Sequence, residues 1–198
     1  ERKTSEIESI PDVFYACDVY GSELYHNEIK DISTEDMSMM ALTYSSGGTI
    51  IGEMQMMPKN NQDVLGNEMQ SLFGLKQTGW VGRYIFELRD LTDVPKWAPS
   101  AYEQQYGEEW RFSGPGILLV GNDGKVIVLE EKTDFDSKNL LTISIHEDYK
   151  KEFGSCSKLN FYNWFELIVP GSETEQIGNY EFNLNATGME KFKEISKY

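Results

Sequence analysis

A chain of 198 residues is long enough for one substantial domain with its own core. Hydrophobic residues at 39% and aromatic residues at 13% exclude an intrinsically disordered chain. A net charge of -15 makes nucleic acid and anionic lipid surfaces poor partners.

The first eleven residues, ERKTSEIESIP, read as a polar connecting segment. The chain starts at Glu1 rather than Met, which points to a processed protein or an excised part of a longer one. Residues 13–21, VFYACDVYG, are rich in β-branched and aromatic residues and predict a buried strand ending near Asp18. A helix follows, with Ser33 or Thr34 as its cap, Glu35 and Asp36 in its first turn and Gly47 as its stop. Its Met37, Met40, Ala41 and Tyr44 recur at spacings of three and four, so they are expected to face the core. The next elements are a strand at 49–53, a loop with Pro58 and Asn60-Asn61, and a helix over 62–74. That helix carries Leu65, Met69, Leu72 and Phe73 on one face and ends at Gly74. Strand, helix, strand, helix predicts parallel strands joined by right-handed crossovers.

A third strand is expected from Gly79 to about Leu88, then a short helix with Pro99 in its first turn and Gly107 beyond its end. Residues 116–131 hold two apolar β runs joined through Asn122-Asp123-Gly124, the strongest hairpin signal in the chain. Further strands are expected at 140–145 and 161–169, with a helical turn at 147–153 between them. The chain then closes with a strand from Asn179 and a helix capped by Asn185 or Thr187, with Met189, Phe192 and Ile195 turned inward. This predicts one α/β domain whose mixed sheet is parallel in its first half and gains antiparallel strands and a hairpin in its second.

Two cysteines, Cys17 and Cys156, and two histidines, His26 and His146, give neither a disulfide framework nor a metal-ligand spacing, so no metal and no cofactor is expected. Cys17 is read as free and buried in its strand. The longest aliphatic run, Ile117 to Val120, is far below the ~20 residues of a membrane-spanning helix, so no transmembrane segment is expected in these residues.

Parallel strands place their C-terminal ends on one edge of a sheet, where open α/β folds bind ligands. Asp18, Glu53, Glu87 and Asp90 are expected near such an edge, and a facing pair of them would suit acid–base work on a glycosidic bond or hold Ca²⁺ or Mg²⁺. Trp97, Tyr102, Tyr106 and Trp110, with Trp164 further on, offer aromatic faces for a carbohydrate, though Tyr102 and Tyr106 share a helix face, which is more often packed than a platform. Asn185-Ala-Thr187 is a formal glycosylation sequon with a second reading as a helix cap.

Four stretches together are similar to one known family. PDVFYACDVYG, LTYSSGGTIIGE, MQSLFGLKQTGW and GILLVGNDGKVIVLEE resemble the strand, helix–Gly-Gly–strand, short helix and later hairpin of glutamine-amidotransferase-like domains, over roughly residues 12 to 130. The resemblance implies a three-layer flavodoxin-like arrangement. It also implies that many relatives are accessory or assembly domains of carbohydrate-active or membrane-anchored proteins. Catalytic members carry a glycine-flanked Cys on a strand-to-helix elbow with His and Glu partners; neither Cys17 nor Cys156 stands in such a setting, so no catalytic residue carries over.

The expectation is therefore a non-catalytic accessory or interaction domain of a larger extracytoplasmic or membrane-linked protein. Its expected partners are other domains of that protein or separate proteins. The alternatives are a carbohydrate-active hydrolase using strand-tip carboxylates, or a glycan-binding module.

Overall fold

The structure, a computed structural model, describes residues 9–17, 32–54, 56, 64–135 and 141–195. Among these residues the protein is a mixed α/β chain with five α-helices and both parallel and antiparallel strands. It divides into two compact units, residues 1–77 and 78–198, where the sequence reading takes one continuous domain.

In the first unit, β1 (Val13–Ala16) and β2 (Thr49–Gly52) pair in parallel, with Ala16 opposite Gly52. Helix α1 (Thr34–Ser45) connects them, and α2 (Val64–Phe73) follows. Ser33 caps α1 through a reciprocal box: its hydroxyl accepts from the Asp36 amide at 3.1 Å while the Asp36 carboxylate accepts from the Ser33 amide at 2.9 Å. The buried face of α1 is Met37, Met40 and Thr43; Ala41 and Tyr44, expected inside, are exposed. The turn after the helix decides this. Gly48 donates to the Thr43 carbonyl at 2.8 Å, and a Cβ on Gly48 would lie 2.8 Å from the Thr43 methyl, so Thr43 must face the returning chain. The Thr43 hydroxyl avoids an unmade bond by donating to the Met39 carbonyl. Met37, Met40, Met56 and Met69 make most of this unit's core, closed by Ala16, Phe14 and Ile50.

The second unit is built on β3 (Leu75–Ile85), which enters it at Thr78, and on the hairpin of β4 (Gly116–Gly121) and β5 (Val126–Glu130). β3 is not a third parallel strand: it runs antiparallel to β4, with Trp80 opposite Gly121 and Ile85 opposite Gly116. Alternating helices and strands predict parallel pairing only if no stronger antiparallel partner exists, and here the hairpin supplies one. Helix α3 (Ala98–Tyr106) lies between β3 and β4 in the chain and stops at left-handed Gly107. The hairpin turns as expected, with Gly124 at φ 81°.

Beyond the hairpin come β6 (Thr142–Ile145), α4 (Lys150–Phe153), β7 (Lys158–Asn160), β8 (Phe165–Pro170), β9 (Gly178–Glu181) and α5 (Ala186–Phe192). β8 joins the main sheet in the order β5-β4-β3-β8, while β7-β6-β9 form a separate antiparallel sheet. The described strands thus fall into three sheets rather than one mixed sheet.

Strand alternation sorts the second core into two faces. Ile117, Leu119, Ile127 and Leu129 pack on one side with Trp80, Phe135 and Phe165; Leu118, Val126 and Val128 pack on the other with Ile85, Leu88 and Ala98. Gly82 is needed where the Phe165 ring crosses β3, because a Cβ there would overlap that ring and Leu119. Helix α5 has Asn185 as its cap, as expected, but Met189 is exposed. The N-terminal turn of α5 lies so close to the Asp134 carbonyl that only Gly188 fits, which sets Lys191, Phe192 and Ile195 inward and swings Met189 out.

Candidate functional sites

The tips of β1 and β2 end level, and the Glu53 amide donates to the Ala16 carbonyl at 3.0 Å. Tyr15 projects from the open face of β1 and donates its hydroxyl to the Glu53 carboxylate. That bond, followed by lesser burial, pushes the Tyr15 phenol up to about 12. Cys17 lies beside the same phenol; it and Cys156 are both exposed and form no disulfide, so the expected burial of Cys17 is corrected. Cys17 falls one residue past the last strand residue, Ala16, and so outside the packed part of the sheet. Asp18, the carboxylate expected opposite Glu53, lies outside the described residues, as do His26 and the loop of Pro58 and Asn60-Asn61.

Glu87 and Asp90 follow β3 in the second unit and serve the backbone. Glu87 accepts from the Arg89 amide at 2.9 Å and the Gly114 amide at 2.7 Å, which lowers its carboxyl below the ordinary value. It thereby ties the end of β3 to the approach of β4, beside the Leu88 amide that donates to the Gly114 carbonyl at 2.8 Å. Asp90 accepts from the Thr92 amide at 2.9 Å and is lowered by that bond first and the Thr92 hydroxyl second. Both carboxylates are held ionised by turn amides, so neither is a proton donor near neutral pH.

The aromatic residues part company. Trp110 donates its indole N–H to the Leu88 carbonyl at 3.0 Å and packs edge-on to Phe112. Trp164 lies 6.0 Å from the Arg83 guanidinium, which is itself bound to Asp93 at 2.8 Å. Trp97 precedes α3 and is 48% exposed. Tyr102 and Tyr106 do share a face: their centroids are 4.6 Å apart, and Phe112 meets Tyr102 at 4.9 Å and 82°. These rings interlock rather than form one flat platform. They floor a cleft of about 500 Å³ between α3 and α5, opening along β5.

This cleft brings together residues the sequence reading missed. Gln105 accepts from the Val126 amide at 2.8 Å, the Tyr106 hydroxyl donates to the Val126 carbonyl at 3.3 Å, and Lys191 donates to the Val128 carbonyl at 3.2 Å. Asp134, fully buried, accepts from the Glu130 amide at 2.7 Å and pairs with Lys191 at 2.6 Å. Side chains thus cover the outer edge of β5, as exposed sheet edges require. Burial, then the charges of Glu194 and Tyr102, push the Tyr106 phenol up to about 12. One signal for this arrangement was present: Lys191 falls on the same stripe as Gly188, Phe192 and Ile195, a lysine placed on an inward face. Asn185 uses its amide as the α5 cap, accepting from Thr187 and Gly188 and donating to the Thr133 carbonyl at 2.8 Å.

Among the described residues no three His, Cys, Asp or Glu side chains gather as a metal site, and no helix is long and apolar enough to cross a membrane. No protein-family model, curated protein or solved structure matches this chain.

Proposed function

We propose that this chain is a non-catalytic accessory or interaction domain of a larger extracytoplasmic or membrane-linked protein. The observation that carries the reading is the uncovered face of β1–β2. Phe14, Ala16 and Ile50 face the methionine core, while Val13, Tyr15 and Ile51 point the other way and stay about half exposed. Parallel strands are ordinarily covered on both faces. The occupant is another domain of the same protein, which supplies the missing layer at a fixed local concentration.

The absence of catalysis rests on chemistry. Glu87 and Asp90 are spent on turn amides, and Glu53 holds a phenol rather than a second carboxyl group. The parallel β1–α1–β2 passage supports a glutamine-amidotransferase-like, flavodoxin-like reading for the first unit. The thiol of Cys17 has the Tyr15 phenol beside it.

Hydroxyl-radical footprinting of Tyr15 and Ile51, in this chain alone and in the intact parent protein, tests the interaction. Strong protection in the parent is expected; equal labelling in both overturns the reading. Release of nitrophenol from nitrophenyl glycosides, or of ammonia from glutamine, that is lost in Glu53→Gln would overturn its non-catalytic half.

A further inference from the structure

The β4–β5 ladder is fixed in phase by the bonds from Gly121 to the Lys125 carbonyl and from Glu131 to the Pro115 carbonyl. Its alternation turns the amide and carbonyl of Val126, Val128 and Glu130 away from β4, toward the cleft side. Five of these six groups have partners: Gln105 and Tyr106 serve Val126, Lys191 serves the Val128 carbonyl, and Asp134 serves Glu130 through its side chain and its own amide. The sixth, the Val128 amide, has no partner among the described residues, although Val128 is only 2% exposed and lines the cleft. A buried donor left over on an otherwise covered edge is a place for a ligand's acceptor.

We propose that the cleft between α3, β5 and α5 is a binding site for a neutral carbohydrate of one or two rings. It goes beyond the interaction reading and does not depend on it. The cleft volume, about 500 Å³, lies within the range of small-molecule sites. Tyr102, Tyr106 and Phe112 supply aromatic surface for the C–H face of a sugar ring. A sugar hydroxyl both accepts and donates, so one can take the Val128 amide proton while others reach the Glu194 carboxylate and the Lys191 ammonium, whose remaining N–H is not used by Asp134 or Val128.

Ionic ligands meet two obstacles, one for each sign of charge. Lys191 is balanced by Asp134 and Lys193 by Glu190, while Glu194 has no cationic partner among the described residues, so an anion meets no uncompensated positive charge. An ammonium ligand carries donors and no acceptor, so it leaves the Val128 amide unsatisfied. A neutral polyol meets neither obstacle.

The test is saturation-transfer NMR on the whole chain with methyl glycosides of glucose, galactose, mannose and N-acetylglucosamine, and with acetate and tetramethylammonium as ionic probes. At least one glycoside is expected to bind, to move the Val128 amide resonance, and to bind about tenfold more weakly to Tyr106→Ala. Glu194→Gln and Lys193→Gln are exposed changes that carry the same test if Tyr106→Ala does not fold. No glycoside binding, binding unchanged in all three variants, a Val128 amide that does not move, or preference for either ionic probe overturns the assignment. Hydrolysis of the bound glycoside would overturn the non-catalytic reading and leave the site standing; no binding would do the reverse.

Discussion

The two units reach order by different routes. The first rests on a two-stranded parallel sheet over a core of four methionines, with one face of the sheet open. The second rests on a four-stranded sheet packed on both faces, with fully buried Phe135 and Phe165 and an ion pair at its edge. Methionine fills irregular space but specifies position weakly, whereas rings and branched side chains fix one arrangement. Two strands alone are marginal in water. The difference teaches that the second unit covers its own sheet on both faces, whereas the first leaves one face of its sheet exposed.

All four tryptophans, Trp80, Trp97, Trp110 and Trp164, belong to the second unit, so their fluorescence follows that unit alone. The largest effect is expected from Asp134→Ala, which leaves the Glu130 amide unpaired and removes the partner of Lys191; urea unfolding followed by tryptophan fluorescence should show a loss of about 3 kcal/mol. Gly82→Ala forces the Phe165 ring aside and should cost about 1–3 kcal/mol by the same measurement. If either change alters the first unit more than the second, the contrast between them fails.

Ser33→Ala breaks the capping box of α1 and should cost about 1 kcal/mol, read by amide hydrogen exchange across α1 with tryptophan fluorescence unchanged. Smaller effects are set by pH. The Glu87 carboxyl is lowered in the folded protein, so its contribution is present above the unfolded glutamate value and is lost as pH falls through the lowered folded value. Glu87→Gln should therefore match the native chain in strong acid and be less stable at neutral pH, as acid titrations of both will show. The smallest change is local: Glu53→Gln should move the Tyr15 phenol from about 12 toward 10.0, measured by carbon NMR of the tyrosine ring, with no change in the second unit.

Much of the local structure was legible. Ser33 with Asp36 three residues on announces a capped helix, Asn122-Asp123-Gly124 announces the hairpin, and Asn185 announces α5. The face of a helix was less so. Tyr44 and Met189 have the right spacing for the core, yet Gly48 and Gly188 bring another segment so close that the helix is rotated away from them. Of the site residues, Tyr102 and Tyr106 do share a face and floor a cleft, while Glu87 and Asp90 turn out to be loop anchors. A carboxylate at a strand end looks the same in sequence whether it meets a substrate or the amide of Gly114, 27 residues later.

What the sequence by itself determined was the order of helices and strands, most of their ends, and the acidic character of the surface, because propensity, capping and turn chemistry act over a few residues. Only the tertiary structure decided that β3 pairs with β4 rather than with β2, that Lys191 reaches Asp134 across 57 residues, and that the Val128 amide is left facing a cleft. Those outcomes depend on which distant segments meet, and pairing across a chain is settled by the sum of packing and hydrogen bonding over the whole unit.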